Sequence, residues 1–150
     1  MKSQLLIAIG NNGRGDDGLG WAFADELLED QNMDILYRYQ LQIEDAELIS
    51  HYQRVWLVDA THDSLPEGFE YLEIEGKGRL TYTTHSLHPE AVVQLCRELY
   101  QCMPEVILIV ISGEDFNLGK RLSSKAQQNL KKALSSFGNR CKNEPLMAPK

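Results

Sequence analysis

The run Leu5-Leu6-Ile7-Ala8-Ile9 passes directly into Gly10-Asn11-Asn12-Gly13-Arg14-Gly15-Asp16-Asp17-Gly18-Leu19-Gly20-Trp21. Residues 4–9 contain no charge and stop at a glycine, which predicts a strand covered on both faces, as strands of parallel sheets are. The glycines of residues 10–20 are too frequent for a helix. Beyond them Trp21, Ala24, Leu27 and Leu28 recur at helical spacing, with Asp25, Glu26, Glu29 and Asp30 on the outside.

The same alternation continues toward the C-terminus. Met33 to Leu41 alternates through Ile35, Tyr37 and Tyr39 and reads as an edge strand. Glu44 to His51 reads as a short helix. Val55-Trp56-Leu57-Val58 is a buried strand ending at Asp59, and Phe69, Tyr71, Leu72 and Ile74 form another after Pro66-Glu67-Gly68. Pro89 suits the first turn of a helix with an apolar stripe of Val92, Leu95, Cys96 and Leu99. Val106 to Ile111 is the most apolar run and predicts a central strand. Ser123 or Ser124 can cap a last helix that buries Ala126, Leu130, Ala133, Leu134 and Phe137. The stripe ends there, so residues 1–137 are expected to form one three-layer α/β domain with a twisted, mostly parallel sheet of about five strands. Residues 138–150 are expected to be a mobile tail.

Composition narrows the functional classes. A chain of 150 residues with 43% apolar and 25% charged residues is one ordinary globular domain. Fifteen basic against 22 acidic residues give a net charge of −7, which argues against nucleic acid or an anionic membrane as partner. Cys96, Cys102 and Cys141 form no C-x-x-C, so neither a zinc knuckle nor a redox motif is written here. Reduced thiols, the absence of a membrane-length apolar run and the absence of a small-x-small cleavage site predict a cytoplasmic protein. A monomer is expected.

In sheets of this kind, function gathers in the loops beyond the carboxyl ends of the strands. Asp16-Asp17, Asp59 and His85 fall in such loops. Together they form a plausible nitrogen and oxygen ligand set for a divalent ion such as nickel or zinc. Each has a structural alternative. Asp16 and Asp17 can complement a helix dipole, Asp59 can bond loop backbone, and His85 can be a surface histidine. His62 and His88 compete for the ligand role, with His62 the next candidate, and His51 reads as a solvated helix-end residue. The spacing Gly13-x-Gly15-x-x-Gly18 formally matches a dinucleotide fingerprint, but it would set two aspartates against a pyrophosphate.

These residues resemble the hydrogenase maturation protease family, the peptidases that finish the large subunit of nickel–iron hydrogenases. The opening motif is Ile9-Gly10-Asn11 followed by Asp16-Asp17-Gly18-Leu19-Gly20. The second is Val58-Asp59-Ala60 with Pro66-Glu67-Gly68 behind it, and the third is Thr83-Thr84-His85 before Pro89. Phe116-Asn117-Leu118-Gly119 is also similar, so the resemblance covers roughly residues 4–137. It implies metal ligands at Asp17, Asp59 and His85, with Asp17 and Asp59 catalytic, and the three side chains within reach of one shared ion. Asp16, Gly10, Asn11 and Gly18 would order the loop. It also implies an endopeptidase that removes the C-terminal extension of a hydrogenase large-subunit precursor, the nickel being carried in by that substrate as its recognition signal. The polar spacer Asn12-Gly13-Arg14 and the extra His88 depart from the family pattern. The rival reading is a non-catalytic metal- or nucleotide-binding regulator on the same fold.

Overall fold

A computed structural model describes residues 3–29, 32–77, 82, 83 and 86–143. Strand β1 (Gln4–Ile9) leads through a 3-10 turn (Gly15–Gly18) into α1 (Leu19–Asp25). Then follow β2 (Met33–Arg38), α2 (Asp45–Ile49), β3 (Arg54–Thr61), β4 (Phe69–Glu73), β5 (Tyr82–Thr83), β6 (Ser86–Leu87), α3 (Pro89–Tyr100), β7 (Glu105–Ser112) and α4 (Ser124–Asn143). The main sheet has the order β2-β1-β3-β7-β4, and β5 and β6 pair as a separate antiparallel ribbon. β2, β1, β3 and β7 run parallel, while β4 returns antiparallel along β7 at the edge. The expected mostly parallel five-stranded sheet between helices is the observed fold.

Strand alternation splits the core into two layers. Leu6, Ala8, Trp56, Val58, Ile107, Ile109 and Ile111 point to α1 and α4 and meet Phe23, Ala133 and Phe137. Leu5, Ile7, Val55, Leu57 and Val106 point to the other side, against Ala46, Ile49, Val92 and Cys96 of α2 and α3. Both faces are therefore dry, which is why β1 and β7 read as unbroken apolar runs.

Four details differ from the sequence reading. The glycine loop is partly helical: residues 15–18 form a 3-10 turn that flows into α1, with the Asp17 N–H bonded to the Arg14 carbonyl. β2 stops at Arg38, because the buried Asp45 carboxylate takes the Gln42 N–H (2.9 Å) and meets Arg38 (3.3 Å), which folds residues 39–44 into a turn. Asp59 lies inside β3, paired with Val110, and the strand continues to Thr61. Finally, α4 runs past Phe137 to Asn143. Arg140 lays its guanidinium over Tyr71 (4.4 Å) and Trp56 (5.7 Å), and Cys141 packs on the same core, so the helix is held without an aliphatic stripe. The tail expected from residue 138 is thus helical as far as Asn143, and residues 144–150 lie outside those described.

Candidate active site

The adjacent carboxylates Asp16 and Asp17 leave the 3-10 turn in different directions. Asp16 is 0% exposed and saturated. Its Oδ2 accepts the Glu114 N–H (2.7 Å), the Asp115 N–H (2.9 Å) and the Ser123 hydroxyl (2.7 Å), and its Oδ1 accepts the Ser123 N–H (2.7 Å). Burial alone would raise its pKa, but these donors outweigh it and hold the carboxyl below its ordinary value. Ser123 Oγ also accepts the Ala126 N–H (3.1 Å), so one residue caps α4 and ties its start to Asp16. Asp16 thus ties the 3-10 turn to the segment that joins β7 to α4.

Among the described residues Asp17 accepts one hydrogen bond of this kind, from the Asn11 N–H to Oδ2 at 3.0 Å. Gly10 makes the approach possible: at φ +139°, a Cβ there would sit 2.1 Å from the Asp17 carbonyl oxygen. Asp59 continues the Val55–Leu57 row beyond the end of the core, and Ile9 continues the Leu5–Ile7 row beside it. Both carboxylates line one cleft of about 380 Å³ with Ile9, Gly10, Tyr39, Gln40, Leu41, His88 and Pro89. Burial raises the Asp59 pKa to about 7; the Asp17 charge adds to the rise and the Ala60 N–H at 2.8 Å opposes it.

The histidines separate. His85 lies outside the described residues. His88 lines the acid cleft from the start of α3. His62, the expected substitute ligand, is elsewhere: it packs on Phe116 with ring centroids 3.8 Å apart and borders a different cavity with Lys125 and Asn129. His51 is exposed just after α2. Among the described residues, no three His, Cys, Asp or Glu side chains come together closely enough to hold a metal ion. Tyr39, Gln40 and Leu41 also line the cleft, beyond the end of β2 at Arg38, although alternation extends the strand through them; the sequence signal for them is an aromatic among polar neighbours.

The glycine loop has little left to offer a phosphate. The Gly13 N–H is bound to Asn11 Oδ1 (2.8 Å), and the Arg14, Gly15, Asp16 and Asp17 N–H groups go to carbonyls of Asn11, Gly119, Asp115 and Arg14. A phosphate-binding loop needs those N–H groups unpaired and pointing outward.

The backbone as a whole superposes on known structures. The hydrogenase maturating endopeptidase HybD from E. coli matches with a TM-score of 0.73 at 15% identity, over 97% of this chain and 94% of that one. The NiFe hydrogenase maturation protease HycI from Thermococcus kodakarensis KOD1 matches at 0.71 with 22% identity, over 95% of this chain and 94% of that one. This chain has the fold of the hydrogenase maturation peptidases. The hydrogenase 2 maturation peptidase from Thaumarchaeota archaeon SCGC_AB-539-E09 matches at 0.69 with 19% identity, over 95% of this chain and all of that one. No family model and no curated protein sequence matches the chain. Among the described residues, no helix is long and apolar enough to cross a membrane.

Proposed function

We propose that this protein is an endopeptidase that removes the C-terminal extension of a nickel–iron hydrogenase large-subunit precursor. The observation that carries the reading is the pair Asp17 and Asp59 on one cleft, with Asp59 poised near pH 7 by burial and by the charge of Asp17. Two carboxylates on one cleft favour a divalent cation between them, because the cation offsets the burial of the Asp59 charge and its repulsion by Asp17. In this reading the cation is nickel already seated in the precursor. The donor set fits: the protein supplies two oxygens, His85 is proposed as a third ligand, and the precursor brings the remainder.

Within the cleft, Asn11 fixes the Asp17 carboxylate through its backbone N–H, and β3 fixes Asp59. A carboxylate of this pair is placed to take a proton from the attacking water and return it to the departing amine. Asp16 acts at one remove, by fixing the turn from which Asp17 projects. The nucleotide-binding form of the rival reading is disfavoured, since the loop N–H groups a nucleotide would use are bonded internally; a metal-binding regulator would share the acid cleft and differ by releasing no peptide. A cytoplasmic, monomeric protein is the setting in which we place this activity.

The test is to incubate the protein with nickel-loaded and with metal-free precursor and follow the intact masses. Loss of a C-terminal peptide from the nickel-loaded form, with little from the metal-free form, is the expected result. Equal cleavage of both would remove nickel as the recognition signal, and cleavage of neither would remove the activity.

A further inference from the structure

Tyr39 stands on the wall of the acid cleft and is 68% exposed, which gives its ring no folding role of its own. The ring is nevertheless fixed. It stacks on Trp21 with centroids 5.3 Å apart and planes 23° apart. Trp21 is held edge-on by Tyr37 at 5.2 Å and by its indole N–H, which donates to the Arg38 carbonyl at 3.1 Å. The same carbonyl accepts the Gly10 N–H at 3.0 Å, so the aromatic stack and the loop carrying Asp17 share one anchor. Beyond Tyr39, Asp45 closes the turn through Gln42 and Arg38.

An aromatic face that is exposed and already immobilised loses little further entropy when something covers it. That is the physical character of an interface anchor. We infer that Tyr39, backed by Trp21, is a specificity subsite that receives an apolar side chain of the precursor segment whose scissile bond lies over Asp17 and Asp59. This rests on the peptidase reading above. The occupant follows from the cleft's own chemistry. Tyr39 and Pro89 present apolar surface on the same cleft as the acid pair, whose lining also includes the largely buried Ile9 and Leu41, so a peptide seated on the carboxylates passes over them. An acidic side chain in this position would lie beside the Asp17 carboxylate on the same cleft.

Steady-state cleavage of the nickel-loaded precursor tests the subsite. Tyr39→Ala is expected to raise KM about tenfold, with kcat changed by less than about twofold. Tyr39→Phe is expected to restore KM, because the subsite uses the face of the ring and not its hydroxyl. Alanine replacement of apolar precursor residues flanking the cut should reveal one whose loss raises KM for the unaltered protein but not for Tyr39→Ala. An unchanged KM in Tyr39→Ala, beside normal cleavage by the unaltered protein, would overturn the subsite and leave the peptidase reading standing. A rise in KM that Tyr39→Phe fails to rescue would also overturn it. No cleavage by the unaltered protein would overturn the peptidase reading and the subsite together.

Discussion

Asp16 and Asp17 are identical side chains one residue apart, and the fold uses them in opposite ways. Asp16 turns inward and accepts four hydrogen bonds from the segment joining β7 to α4. Asp17 turns to the cleft, takes one backbone N–H and faces a second carboxylate. A carboxylate whose oxygens are filled by donors is stable, ionised and chemically idle. One left partly bare beside a second carboxylate is where a cation can be held. The contrast separates the effects of variants into two columns, folding and activity.

The largest effect falls on the open side. Asp59→Asn should lower the cleavage rate of nickel-loaded precursor by about 100-fold or more, since an amide can neither take a proton nor carry the charge. Single-turnover assays on protein of unchanged circular dichroism read this directly. On the closed side, Asp16→Asn should cost about 3 kcal/mol of stability at pH 7, because an NH2 group is forced against buried N–H donors. The carboxyl is held below its ordinary pKa, so its contribution is present above that value and fades as pH falls through the folded one. Urea melts at pH 7 and pH 3 should therefore show the deficit shrinking in acid.

A smaller effect has the opposite sign. Asp59 keeps its proton in the folded protein up to about pH 7, while the unfolded chain releases it near 3.8. Ionisation thus works against folding: the penalty is negligible below pH 4 and complete above pH 7. Asp59→Asn should accordingly raise stability by about 1–3 kcal/mol at pH 8 and by almost nothing at pH 4. Thermal melts across that range check it. Ser123→Ala, which removes one donor to Asp16 and the α4 cap together, should cost about 1–2 kcal/mol without changing the cleavage rate of the folded fraction. The smallest effect is expected at His62, which packs on Phe116 away from the acid cleft; His62→Ala should leave cleavage of the precursor unchanged within about twofold.

The sheet was legible because β1, β3 and β7 are buried on both faces and so carry unbroken apolar runs. The division between Asp16 and Asp17 was only partly legible. Sequence spacing places both in one turn, and what separates them is Glu114, Asp115 and Ser123, roughly a hundred residues away in the chain. The end of α4 was hidden for a different reason: Arg140 holds it through cation–π contact, which an apolar stripe does not register. Tyr39 was hidden by alternation, because Ile35, Tyr37 and Tyr39 fit a strand and the Arg38–Asp45 turn that ends it joins residues without any such period.

The most direct test of this division is the intact-mass time course of a nickel-loaded precursor with Asp17→Asn, set beside Asp16→Asn at equal concentrations of folded protein. The account predicts no detectable peptide release by Asp17→Asn, with a melting temperature close to that of the unaltered protein, and measurable release by whatever Asp16→Asn remains folded. Full release by Asp17→Asn, or complete loss confined to folded Asp16→Asn, would contradict it.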